Sequence, residues 1–118
     1  MKNKLYLEFL TKIGELELDK IEEFVKDMTC TRVTKIINHQ IACPDQDTLI
    51  KQLKEARERA GKFTITPINH CNDKETHQCA VRYLLESEAA GSFTTIAIVN
   101  FDLQDKITKI DEIYCQTT

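Results

Sequence analysis

The sequence predicts an α+β fold, three helices followed by a meander of long antiparallel strands, on three observations. Before Gly61, apolar residues recur at spacings of three and four, the period of a helix face. From Phe63 onward the period drops to two, the alternation of a strand. Polar or glycine-bearing breaks at Asn72-Asp73-Lys74, Ala90-Gly91 and Gln104-Asp105 cut that second half into strand-length pieces.

Leu5, Phe9 and Ile13, with Tyr6 and Leu10 beside them, form the stripe of the first helix, which Gly14 is expected to break. Leu18, Ile21, Phe24, Val25 and Met28 form the second. Residues 31–37 are rich in β-branched side chains and read as a strand, with Asn38-His39-Gln40 as a turn before a short return to Cys43. Asp45, after Pro44, is placed to accept hydrogen bonds from the first free amides of a third helix. Leu49, Ile50, Leu53, Ala56 and Ala60 are its buried face and Gly61 its end. Its charged run, Lys51, Lys54, Glu55, Arg57, Glu58 and Arg59, mixes signs and reads as a solvated side. Strands are expected from Phe63, over 77–88, over 92–103 and over 106–116.

Composition narrows the function classes. A chain of 118 residues, 42% hydrophobic, fits one domain over residues 1–118 with a single core. It holds no run of eighteen apolar residues, so no membrane span is expected. Sixteen basic against nineteen acidic side chains give a net charge of −3, no footprint for nucleic acid or an anionic membrane. Five scattered cysteines and an amphipathic rather than signal-like start suit a reducing cytoplasm. No glycine-rich phosphate loop or nucleophile elbow is present, and no cofactor is expected.

Two-residue hairpins at the late breaks would pair Ala89 with Ser92 and Leu103 with Lys106. Three rows then cross one sheet face: Arg82–Val99–Ile110, Leu84–Ala97–Glu112 and Glu86–Thr95–Tyr114. The other face would carry Val81, Tyr83, Leu85, Ile96, Ile98, Ile113 and Cys115. With apolar side chains on both faces and helices enough for one, a homodimer through the second face is expected.

The order of these parts resembles the nuclear transport factor 2-like superfamily, which includes the SnoaL-like and ketosteroid isomerase families. The resemblance rests on the early helical pair with Leu18-Asp19-Lys20-Ile21, the third helix after a short strand, Cys79-Ala80-Val81-Arg82-Tyr83 in mid-sheet, and the last strand through Ile110-Asp111-Glu112-Ile113-Tyr114. It implies a cystatin-like cone, with three N-terminal helices in the concave face of a curved, mostly antiparallel sheet. It implies a pocket between helices and sheet, and dimerisation through the sheet. Tyr6, Arg82, Leu84, Ala97, Val99, Phe101, Ile110, Glu112 and Tyr114 become the pocket candidates, and Val81, Tyr83, Leu85, Ile96, Ile98 and Ile113 the interface.

The departures from this family bear on function. Ketosteroid isomerases need a general-base carboxylate on the first strand, and Thr31-Arg32-Val33-Thr34 holds no acid. They also need a protonated acid on the penultimate strand, where the alignment puts Ala97. For an epoxide hydrolase-like Asp–Arg–Asp set, Arg82 and Glu112 would supply two members, but Leu84 stands where the other acid belongs. Neither set is complete. The expectation is a small apolar or weakly polar organic ligand held beside an Arg82–Glu112 pair. The alternatives are a small isomerase, cyclase or hydrolase using Glu112 as general acid/base, or an association domain.

His70, Cys71, His77 and Cys79 flank one turn, but adjacent strand residues point oppositely and no Cys-x-x-Cys occurs, so no metal is expected.

Overall fold

The computed structural model describes residues 1–117. Two helices, α1 (Lys2–Glu15) and α2 (Leu18–Met28), lead into strands β1 (Thr29–Ile37) and β2 (Gln40–Cys43). Helix α3 (Gln46–Ala60) follows, then β3 (Phe63–Asp73), β4 (Gln78–Ser87), β5 (Ser92–Phe101) and β6 (Ile107–Gln116). The six strands form one sheet in the order β2-β1-β6-β5-β4-β3. Only the β1–β6 pair is parallel. Three helices against one face of a curved, mostly antiparallel sheet make a cystatin-like cone.

One core joins the layers. Tyr6, Phe9 and Ile13 of α1, Ile21 and Val25 of α2, and Leu49 and Leu53 of α3 are buried against Val33, Val81, Ala97, Val99, Ile107 and Ile110 of the sheet. The rings of Tyr6, Phe9 and Phe24 stack with centroids 6.0 and 5.8 Å apart, binding α1 to α2. Asp45 caps α3 as expected, its Oδ1 accepting from the Thr48 amide at 2.9 Å. Next to it, Gln46 Nε2 donates to the carbonyl of Thr29, whose own hydroxyl donates to Val25, so the end of α2 is tied to the start of α3.

Gly14 does not break α1, which runs on to Glu15. A Cβ there would sit 2.4 Å from the carbonyl oxygen of Phe63 and 2.8 Å from its ring. The glycine lets the helix lie directly on β3, so its role is close approach rather than termination. Arg57 is likewise not part of a solvated face. It is buried, with Nη1 donating to the carbonyls of Ile13 (2.6 Å) and Leu16 (2.7 Å) and Nε to Gly61 (3.0 Å). One guanidinium thereby satisfies open carbonyls at the C-terminal end of α1 and beyond α3.

The largest correction concerns the β4–β5 register. The connection is not a two-residue hairpin. Ser92 pairs with Glu86 instead of Ala89, a slip of three residues, and residues 87–91 form a longer loop. Ser87 holds it: its amide and hydroxyl both donate to the Gly91 carbonyl, at 3.0 and 2.8 Å, and its Oγ accepts from the Ala90 amide. The amides of Glu88 and Ala89 turn away to the carbonyls of Lys62 and Ala60. An odd slip exchanges the two faces of a strand. Arg82 and Leu84, expected in the concavity, therefore lie on the convex face opposite Ile96 and Thr94. Val81 and Tyr83, expected at an interface, are in the core, and Leu85 packs against it.

The β5–β6 pairs Val99–Ile110, Ala97–Glu112 and Thr95–Tyr114 are as expected, but a bulge after Asn100 pairs Phe101 with Ile107 and the Asp102 amide donates to the Lys106 carbonyl, so Leu103 does not pair with Lys106.

Candidate functional site

A cavity of about 290 Å³ opens between α1, α3 and the concave face of the sheet. Its apolar walls come from Leu10 and Ile13 of α1, Leu53 and Ala56 of α3, and Phe63 and Leu85 of the sheet. Its polar lining is Lys35, Gln52, Arg59, Tyr83, Thr95, Glu112 and Tyr114.

Glu112 is the centre of the polar side. β6 turns it inward, opposite Ala97, and only 8% of it is exposed. Its partner is not Arg82, which is exposed on the convex face, but Lys35 from the parallel neighbour β1. Lys35 Nζ lies 3.6 Å from Glu112 Oε1 and donates to Gln52 Oε1 at 3.0 Å. Lys35 is 7% exposed, so both charges are desolvated and each needs the other. The pairs Lys35↔Ile110 and Ile37↔Glu112 in the β1–β6 ladder set this meeting.

Behind the ion pair lies a line of hydroxyls. They belong to Tyr6, Tyr83 and Thr95, each close enough to act on the next. Burial pushes both phenols well above their ordinary pKa, and the Glu112 carboxylate pushes in the same direction. Both phenols therefore keep their protons to higher pH than a free tyrosine. Nearby Cys43, paired with Lys35 across β1–β2, has its thiol pKa raised by burial.

Of the sequence-predicted pocket residues, Glu112 and Tyr114 line the cavity. Tyr6, Ala97, Val99, Phe101 and Ile110 are buried in the core, with Tyr6 reaching the cavity wall through Tyr83. Arg82 and Leu84 are elsewhere. Of the predicted interface set, Ile96, Ile98 and Ile113 are exposed on the convex face, whereas Tyr83 and Leu85 line the cavity. Lys35 was missed, though Val33, Lys35 and Ile37 alternate on one side of β1 and a lone lysine in that row is a readable signal. Gln52 and Arg59 were missed because they sit on a helix face that composition alone reads as solvated.

The His70–Cys79 region does not converge. Cys79 is buried and Cys71 exposed, on opposite faces of β4 and β3, and no metal-competent group of three ligands exists among the described residues.

No protein-family model and no curated protein matches this chain. Solved structures do match it. An NTF2-like protein of unknown function from Exiguobacterium sp. 255-15 is 10% identical with a TM-score of 0.76, over 99% of this chain and 100% of that one. A SnoaL-like family protein from Agrobacterium tumefaciens is 10% identical with a TM-score of 0.74, over 97% and 94%. The epoxide hydrolase/cyclase-like enzyme SalBIII, of pyran ring formation in salinomycin, is 14% identical with a TM-score of 0.74, over 98% and 92%. At these identities the likeness is one of fold. The chain has the NTF2-like, cystatin-like cone fold.

Proposed function

We propose that this chain binds a small, largely apolar organic molecule in the cone cavity, against the Lys35–Glu112 pair. The supporting observation is the pair itself. Two desolvated charges at one end of an apolar cavity of about 290 Å³ offer a polar anchor at the floor of a hydrophobic slot. A core built only for stability gains little from such a pair. The chain is further proposed to work as a homodimer through its convex face. Five free cysteines suit a reducing cytoplasm.

A second reading, general acid/base catalysis by Glu112, is favoured by the same carboxylate opening onto the cavity with Lys35 Nζ 3.6 Å away. The neutral fluorophore N-phenyl-1-naphthylamine tests the first. The wild type should bind one molecule per chain, and Ala56→Trp, which fills the slot between α3 and the sheet, should lose it. Equal binding by both proteins overturns the cavity reading. Compounds that displace the fluorophore are then followed for turnover. Conversion with a pH dependence that vanishes in Glu112→Gln supports catalysis, and binding without conversion supports a carrier or sensor.

A further inference from the structure

The mouth of the cavity carries a charge of its own. Lys35 and Glu112 cancel at the floor, while Arg59 lines the same cavity and lies within salt-bridge distance of no carboxylate among the described residues. The cavity therefore carries one uncompensated positive charge.

Helix α3 fixes where that charge sits. Gln52, Ala56 and Arg59 fall on one helix face, all turned to the cavity. Gln52 marks the floor, because it accepts the Lys35 hydrogen bond. Arg59 lies seven residues on, about 10 Å along the axis at about 1.5 Å per residue. Between them Ala56 leaves the slot open. At the Arg59 end the lining turns to the solvent side, with Tyr114 40% exposed and its ring edge-on to Phe93 at 5.6 Å.

We propose, building on the cavity reading above, that the ligand is an amphipathic organic anion. Its apolar body fills the slot, a neutral oxygen meets the Lys35–Glu112 end, and a carboxylate or comparable anion meets Arg59 at the mouth. A guanidinium fork suits that geometry and a carboxylate best of all. An unpaired arginine at a cavity rim also attracts an anion before it docks.

The probes are octanoate and 1-octanol, which share an apolar chain and differ in charge, titrated calorimetrically into wild type, Arg59→Gln and Ala56→Trp. Octanoate should bind wild type at least about tenfold more tightly than octanol, with an advantage that shrinks as salt rises. Arg59→Gln should weaken octanoate to the octanol level and leave octanol unchanged. Ala56→Trp should abolish both. Arg59 is exposed, so its substitution leaves the fold intact. Equal affinities for the two probes in wild type, or unchanged octanoate binding in Arg59→Gln, overturns the anion assignment while the cavity reading stands. If neither probe binds wild type, both readings fall.

Discussion

At Arg57 a single side chain does what two helix caps would otherwise do. α1 ends in extended backbone at Leu16, leaving its last carbonyls without the amides of a further turn. The buried guanidinium donates to two of them and to Gly61, adding positive charge where the helix dipole is negative. Arg57→Met keeps most of the volume and strands those carbonyls, so it should cost about 3 kcal/mol, read from urea unfolding. A loss within about 0.5 kcal/mol would mean that water replaces the guanidinium at no penalty. Cys79 supplies a pH effect at the same scale. Burial raises its thiol pKa from 9.0 to about 11. The unfolded chain ionises from pH 9 while the folded one keeps its proton, so this contribution is complete below pH 9 and is lost as pH rises to about 11. Cys43, raised by burial, adds to the fall, and Tyr6 and Tyr83 join it from their ordinary 10.0. The thermal midpoint should decline from pH 9, and more gently in Cys79→Ala. Parallel declines in the two proteins would remove Cys79 from this account.

Among the elements, the helices were legible because burial and period agree. Asp45 capped the helix it was expected to cap, most of the α1 stripe is buried, and Ile21 and Val25 of the α2 stripe are buried while Leu18 is exposed. The turn at Asn38-His39 was legible too, both residues taking positive φ, 47° and 72°. The strands were legible as strands, but the pairing of β4 with β5 was not. It depends on hydrogen bonds from residues 87–91 to the end of α3 and the start of β3, which are remote in sequence and carry no local signature. That one loop decided which candidates reached the cavity. It sent Arg82 to the convex side and brought Tyr83 and Leu85 inward, so Glu112 kept its place while its partner changed. The partner's strand was equally hidden. β1 meets β6 in parallel, a long-range contact that no hairpin rule supplies, and Lys35 reaches Glu112 only through it. Arg57 and Gln52 show the corresponding gap for helices: on α3 a charged or polar residue type says little about which side faces solvent.

For the whole molecule, the convex face is the surface left unaccounted for. The register slip moved Arg82 and Leu84 onto it but left Ile96, Ile98 and Ile113 there, 51%, 45% and 50% exposed on adjacent central strands. Ile96 and Ile113 are direct cross-strand partners, and Ile98 lies next along β5, so the three form one contiguous apolar patch. Patches of this kind in the middle of a sheet mark interaction surfaces more often than solvent-facing ones. A second copy is the natural cover, because a two-fold contact sets the same patch against itself and needs no other complementarity. Charged residues at its margin, Arg82 beside Ile96 and Asp111 beside Ile98, can then pair across the two-fold. Light scattering through a dilution series should give twice the 13.6 kDa chain mass for the wild type. Ile98→Glu should give the single-chain mass with an unchanged far-ultraviolet circular dichroism spectrum, since that side chain is half in solvent already. A wild type that stays at the single-chain mass at every concentration ends the dimer proposal. A dimer that survives Ile98→Glu moves the contact to another face.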